Sequence, residues 1–507
     1  MTPLATLLKR LDNAGLLQKK KGRFKNIDID HLANDSRGVG PNGLFVAIRG
    51  EKADGHLFID KAVKNGAIAI VCEAVSASVS EHYAGIAFIQ VDDSRAALAE
   101  LAAAFYGDPA AQMKMVGITG TNGKTTTALL VHHLLTALNE KAGLLGTIEY
   151  RLGGAPLPAT HTTPDTLDIN RMLRQMVEAG CTACAMEVSS HALAQDRVRA
   201  LAFDVVVFSN LTRDHLDYHG SHQAYFEAKK RLFDGLAVSA TALYNLDDEA
   251  GPAIVADTVA QTVSYGQARE ADLRVEVLEN RLQGLRLRID GRTRRFRLVG
   301  LFNAYNLLAA YGAGRALGYE PDAVLDALAT AAPVPGRFEQ LCFRDGTAVI
   351  VDYAHTPDAL DNVLRTVRVT KPGAARVWCV FGCGGDRDPS KRRIMGSLAE
   401  HYADHVIVTS DNPRTEDPEV IMNDIRRGMD RPTEALWIVD RRAAIAEAAG
   451  RVRPGDVVVL AGKGHEPYQI LGTRKVAFDD REEVRKAFAD RGFLETPTPG
   501  PVPNQPV

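Results

Sequence analysis

No run of this 507-residue sequence approaches the roughly 18 consecutive apolar residues that a membrane-spanning helix needs. Charge of either sign is not in excess: 60 Lys and Arg against 63 Asp and Glu leave −3, no electrostatic footprint for nucleic acid or an anionic membrane. Cysteine is scarce, at 6 residues, and the one close pair, Cys181 and Cys184, has no second pair or histidine pair at zinc-finger spacing. The thiols therefore read as free and buried, as in a reducing compartment. The opening MTPLATLLKRLDNAG lacks the apolar core and cleavage site of a signal peptide, so a cytoplasmic location is expected. What is present is ordinary globular composition, 46% hydrophobic and 24% charged, in a chain long enough for about three domains.

Residues 1–112 read as a small mixed α/β domain, with strands GLFVAI and IAIVC around a helical HLFIDKAVKNGA and a turn-rich NDSRGVGPNG before them. A Gly-Asp-Pro closes this segment. From 113 to 334, the apolar runs MKMVGIT, AGLLGTI, TACAMEV and FDVVVFSN alternate with amphipathic stretches, the rhythm of parallel strands and crossover helices in a doubly wound α/β sheet. The alternating LRVEVLENRLQGLRLRIDGRTRRFRLV predicts an antiparallel meander added to that sheet. After APVPGRFE, residues 335–495 repeat the alternation (TAVIVDYA, RVWCVFG, HVIVTS, ALWIVD, DVVVLAG) and predict a second, Rossmann-like α/β domain. The proline-rich 496–507 is expected to be a disordered tail.

The most specific stretch is MVGITGTNGKTTTALLVHHLL, a strand running into Gly117, Gly120 and Gly123, after which Lys124, Thr125 and Thr126 open a helix. Such a loop cradles phosphates: glycines let N–H groups converge, the helix N-terminus adds partial positive charge, and lysine neutralises terminal phosphate oxygens. Thr125 is placed to hold magnesium. Ile118 stands where the usual pattern has its first glycine. Two more loops follow strands: Glu187, Ser189, Ser190 and His191 in AMEVSSHALAQDRV, and Asp214, His215, Asp217 and His219 in SNLTRDHLDYHG. Both fall at carboxyl ends of parallel strands, where open α/β sheets bind ligands, and carboxylate and imidazole suit magnesium or manganese. SDNPRTED, after HVIVTS, sets an Asp, an Asn and an Arg around one proline; by itself it is a polar turn.

The ordered set GITGTNGKTT, MEVSSHALAQDRV, SNLTRDHLDYHG, YFEAKKRLF, FNAYNLLAA, PGRFE, VDYAHTPDAL and FGCGGDRDPSKR resembles the Mur ligase family of peptidoglycan synthesis, from about residue 34 to residue 480. The resemblance implies three domains: UDP-sugar-binding, ATP-binding and amino-acid-binding. It also implies a cytoplasmic, monomeric ATP-dependent amide ligase that adds meso-2,6-diaminopimelate to UDP-N-acetylmuramoyl-L-alanyl-D-glutamate through an acyl phosphate, with two Mg2+ sites. By resemblance Gly120, Thr121, Asn122, Gly123, Lys124, Thr125 and Thr126 bind ATP, and Asn306, Arg337 and Asp352, with His355 nearby, help hold its nucleoside. Thr125 and Glu187 hold one metal, His215 and a carbamylated Lys229 the other, so Lys124, Glu187, His215 and Lys229 are the catalytic set. On the residues alone, Lys229 in FEAKKRLF is a solvated helix lysine whose removal leaves the fold intact. Ser36, Thr162, Thr163, Ser189, Gln195 and Arg197 are implied for the UDP-sugar peptide; the chain departs from the family with His161, where Asn is common, and matches weakly at 51–53.

The diaminopimelate pocket implied by the resemblance takes Arg387, Asp411, Asn412, Pro413, Arg414, Gly462 and Glu466. Arg414 grips the distal carboxylate bidentately, and Asp411 and Asn412 meet an ammonium and polar atoms. The alternatives are an L-lysine-adding homologue, a folylpolyglutamate synthase-like ligase, which lacks the DSR…LFVA…DGH segment, and a P-loop ATPase that makes no bond.

Overall fold

The computed structural model describes residues 1–22, 24, 26–50, 53–83 and 85–496. Positions 51 and 52 of the weak match at 51–53, and the expected tail from 497 onward, lie outside the described residues. Thr496, expected to begin that tail, instead donates its amide to the Cys342 carbonyl at 2.8 Å, at the edge of the last sheet.

Three principal sheets follow one another along the chain. The first has five strands in the order Leu17–Lys21, Ala87–Val91, Ala67–Cys72, Gly43–Val46, His31–Ala33, parallel except for its first pair. The second has eleven. Its parallel centre runs Ala142–Leu145, Ala183–Glu187, Lys114–Thr119, Val205–Phe208, Thr241–Asn245, Gln261–Gly266, and at one edge Leu273–Arg281, Gly284–Ile289 and Arg292–Phe296 add the expected antiparallel meander. The third, in the order Glu339–Cys342, Ala348–Asp352, Val457–Ala461, Val377–Phe381, His405–Val408, Leu436–Trp437, is parallel apart from its first strand.

The parallel strands read as unbroken apolar runs because helices cover both faces. On one face of the middle sheet Val116, Ile118, Ala185 and Val207 pack with Leu130, Leu134 and the helix Leu301–Ala316. On the other, Met115, Cys184, Met186 and Val206 pack with Ile169, Leu173 and Phe233. Two apolar clusters likewise sandwich the third sheet. Helix starts are marked locally: Asp165 accepts from the Asp168 amide, Thr356 from that of Ala359 and Asp417 from that of Glu419, the last two ahead of a proline in the first turn. This architecture sends the loops after residues 119, 145, 187 and 208, and those after 352, 381, 408 and 461, to the carboxyl ends of their sheets. No helix among the described residues is long and apolar enough to cross a membrane.

Candidate active site

The loop between Lys114–Thr119 and the helix Lys124–Ala137 has its glycines where the backbone demands them. Gly120 and Gly123 have φ of +142° and +88°. A Cβ on Gly120 would stand 1.9 Å from Ser209 Oγ, and one on Gly123 2.4 Å from Asn306 Oδ1. Asn306 thus backs the loop, with its Oδ1 also accepting from Thr127 Oγ1 at 3.3 Å. Lys124 Nζ donates to the Gly120 and Thr121 carbonyls at 3.0 and 2.8 Å, and burial lowers its pKa.

Register pairs Glu187 with Ile118, so the carboxylate reaches the start of the phosphate helix, where Thr125 Oγ1 donates to Glu187 Oε2 at 2.9 Å. Thr147, after the neighbouring strand, donates its hydroxyl to the same oxygen at 3.0 Å and its amide to Oε1 at 2.7 Å. The result is a cluster of hard oxygen donors, the set a magnesium ion takes. Arg337 donates to Thr125 Oγ1 at 3.2 Å and lies over the Tyr353 ring at 4.5 Å, which sets its guanidinium beside the start of the phosphate helix. Asp352 accepts from the Phe338 amide at 2.6 Å, and burial pushes its pKa up to about 6.

Lys229 overturns the solvated reading. Its helix, His222–Asp234, turns it inward to 1% exposure, with Nζ donating to the Gly120 carbonyl at 2.8 Å and lying 4.5 Å from the Tyr225 ring centre. Burial first, and Lys124 second, hold its pKa well below the usual lysine value. An amine kept neutral is what carbon dioxide needs to form a carbamate. His215, in the left-handed region at φ +54°, sits 3.4 Å from Asp214 and 4.8 Å, ring to ring, from His191. Burial pushes its pKa down to about 3, leaving a neutral imidazole suited to a metal.

Five of the six residues implied for the UDP-sugar peptide form one chain of contacts. Thr162 Oγ1 lies within hydrogen-bond distance of Thr147 Oγ1, at 3.1 Å, and Thr163 Oγ1 donates to the Glu187 carbonyl while accepting from the Ser189 amide. Arg197 donates to the Thr163 carbonyl at 2.8 Å and to Gln195 Oε1 at 2.7 Å. Ser36 stands apart in the first sheet's loop, its carbonyl held by Asn65 Nδ2. His161 is exposed.

The third sheet brings up the remaining group. One cavity is lined by Asp214, His215 and Asp217 from the middle of the chain and by Arg387, Asp411, Asn412, Arg414, Gly462 and Glu466 from the end of it. The Arg414 backbone, at φ +53°, is clamped by a hairpin: its N–H donates to the Ile470 carbonyl and its carbonyl accepts from the Gly472 amide. Its Nη1 donates to the Gly385 carbonyl at 2.7 Å. Pro413 and Arg387 complete the two facing loops, Pro413 packed with its carbonyl 1.9 Å from where a Gly385 Cβ would be. Asp411 and Asn412 line this cavity and are both buried. Asn412 spends its oxygen on the Ile470 amide and Lys463 Nζ, and donates to Glu466 at 2.9 Å.

Models of three families match the chain in order: "Mur ligase family, catalytic domain" over 28–106, "Mur ligase middle domain" over 118–314, and "Mur ligase, glutamate ligase domain" over 336–464. A UDP-N-acetylmuramoyl-L-alanyl-D-glutamate--2,6-diaminopimelate ligase of Parabacteroides distasonis is 45% identical over 466 residues, covering 92% of this chain and 95% of its own. The chain belongs to the Mur ligase family. A solved structure of a protein of that same ligase name aligns at 33% identity with a TM-score of 0.67, covering 93% of this chain and 97% of its own. Folylpolyglutamate synthase of Mycobacterium tuberculosis, at 20% identity and a TM-score of 0.58, covers 72% of this chain and 92% of its own, and shows a common fold alone.

Within this Mur ligase three features of the site escaped the sequence. Thr147 follows the strand Ala142–Leu145 in an unremarkable GTI. Lys463 lies just past the quoted DVVVLAG, and nothing in the sequence marks it as fully buried. Asn122, read only as part of the phosphate loop, donates to Asp358 at 2.7 Å on the helix Pro357–Thr370, tying that loop to the third sheet's domain. Arg213 makes a second tie, donating to Ser390 at 2.9 Å.

Proposed function

We propose that this Mur ligase joins meso-2,6-diaminopimelate to UDP-N-acetylmuramoyl-L-alanyl-D-glutamate at the expense of ATP, as a cytoplasmic monomer. Residues 1–112 and the Thr162–Arg197 contacts serve the UDP-sugar peptide, 113–334 the ATP, and 335–495 the incoming amino acid. The observation that carries the reading is the shared cavity, which sets Asp214 and His215 opposite Arg387, Arg414 and Glu466. A carboxylate activated at the phosphate loop and an amine held by the SDNPR loop meet there.

The chemistry needs placement and charge neutralisation more than covalent help. The γ-phosphoryl group passes to the glutamyl carboxylate; the unprotonated amine then attacks the acyl carbon, the C–N bond forms and phosphate leaves. Lys124, now on two loop carbonyls, exchanges them for phosphate oxygens. The oxygen cluster of Thr125 and Glu187 fits one magnesium, and neutral His215 with Lys229 as its carbamate fits a second; such ions neutralise phosphate charge when bound. Arg337, 3.2 Å from Thr125 Oγ1, supports a contact at the phosphate end, with Asn306 behind the loop and Asp352 fixing the Phe338 turn.

The test is ADP release with ATP, Mg2+ and the UDP dipeptide across a panel of amino acids. Turnover with meso-diaminopimelate, and at least about a hundredfold less with L-lysine, is expected because an arginine left without its carboxylate is costly. Equal use of L-lysine would assign the lysine-adding reaction, and ADP release without either acceptor would assign an ATPase.

A further inference from the structure

Lys463 follows the strand Val457–Ala461 and has no solvent exposure. Its Nζ lies 3.2 Å from Glu466 Oε2, 3.3 Å from Asn412 Oδ1 and 3.8 Å from Asp411 Oδ1. Gly462 lets Asp411 approach, since a Cβ there would stand 3.1 Å from Asp411 Oδ2. Asp411 Oδ1 is buried without a hydrogen-bond partner. The pocket thus holds two carboxylates and one ammonium, all within reach of one another and beside the Arg414 guanidinium. The distal end of diaminopimelate is a zwitterion, one ammonium and one carboxylate.

We propose that Lys463 is a charge-setting positioning residue: by offsetting one of the Asp411 and Glu466 carboxylates it leaves a single net negative charge for the distal ammonium, next to Arg414 for the distal carboxylate. This rests on the diaminopimelate reading above. Without Lys463, two carboxylates face one ammonium and repel the substrate carboxylate that Arg414 receives. L-Lysine has no such carboxylate, so the loss falls on diaminopimelate selectively. The other charged or titratable groups around the pair do not replace Lys463. Arg441, near Asp411, is already paired with Asp480 at 2.7 Å, and Tyr353 and Tyr468, near Glu466, are held in their neutral forms by burial. Burial already raises the pKa of Asp411, with Lys463 opposing it, so an unpaired carboxylate here takes up a proton readily.

The readout is the ratio of kcat/KM for meso-diaminopimelate to that for L-lysine, measured with the full chain, ATP and the UDP dipeptide. In Lys463→Gln the ratio should fall at least about tenfold at alkaline pH and recover as pH is lowered and one carboxylate takes up a proton; in the wild type it should stay flat. Lys463→Gln/Glu466→Gln removes the buried pair together, which proteins tolerate better than loss of one partner, and returns the pocket to one net negative charge. Its ratio should lie within about threefold of the wild type even if both rates drop, because the shared ammonium contact cancels. A wild-type ratio in folded Lys463→Gln at every pH overturns the proposal, as does a collapsed ratio in the double variant, which decides the matter if the single variant does not fold. A wild type that does not select diaminopimelate overturns the reading of the pocket instead.

Discussion

Two lysines are buried, one against the phosphate loop and one beside Asn412, and their neighbours differ. Lys229, 1% exposed, has a carbonyl and the face of a tyrosine ring; Lys463, fully buried, has two carboxylates and an amide. Burial, with Lys124 adding to it and Asp214 only opposing it, drives the first toward the neutral amine, the form that can react with carbon dioxide. Burial among carboxylates makes the second part of an ion cluster that shapes a charged pocket. On the readings proposed above, the same side chain is a reagent beside the phosphate loop and a fixed charge beside Arg414, and its neighbours decide which.

The comparison breaks first at Lys229. Lys229→Met matches its shape without an amine and should cost at least about a thousandfold in kcat, since charge neutralisation at a phosphoryl-transfer site is lost. The protein should remain folded, as judged by its thermal melt, because an apolar chain suits the site better than an unpaired ammonium. Near-normal turnover, or restoration by bicarbonate, would return Lys229 to a structural role.

Beside the second lysine, Arg414→Ala should raise KM for diaminopimelate by about a hundredfold and leave KM for ATP within about twofold, given the cost of an unpaired buried charge. Steady-state kinetics with each substrate varied in turn checks this; a parallel rise for ATP would mean that the clamp on the Arg414 backbone, not its guanidinium, carries the effect.

A smaller effect is expected at Asp352. Its folded pKa of about 6 stands above the ordinary carboxyl value, so its contribution to stability is complete below about pH 3.8 and is lost as pH rises through about 6. The shift corresponds to about 3 kcal/mol. Melts of the wild type and Asp352→Asn should therefore diverge in favour of the wild type as pH falls from about 6.5 to about 4. A constant difference in Tm over that range removes the claim.

The smallest effect is expected at the tie between the phosphate loop and the third sheet's domain. Asn122→Ala deletes the bond to Asp358 and should raise KM for ATP about fivefold, the worth of about one hydrogen bond. Asp358→Ala should do the same, and the double variant no more, if both report one contact.

The fold and the position of the phosphate loop were legible along the chain because they rest on local patterns. Unbroken apolar runs specify strands buried on both faces, a strand-glycine-lysine series specifies a loop at a helix start, and strict alternation marked the meander in residues 273–296. Motif order also located Glu187, His215 and Arg414. Burial was not legible, since the same FEAKKRLF pattern serves a surface helix or one pressed against a loop 109 residues away. Nor was pairing: that Asn412 turns to Lys463 and Glu466, that Arg337 reaches Thr125, and that Thr147 completes the oxygen cluster follow from strands and loops brought together across the fold. The sequence by itself determined which chemical groups this protein owns and which loops carry them. Only the tertiary structure decided which are dry and what each one faces, because desolvation and Coulomb interaction depend on distance in space and not on separation along the chain.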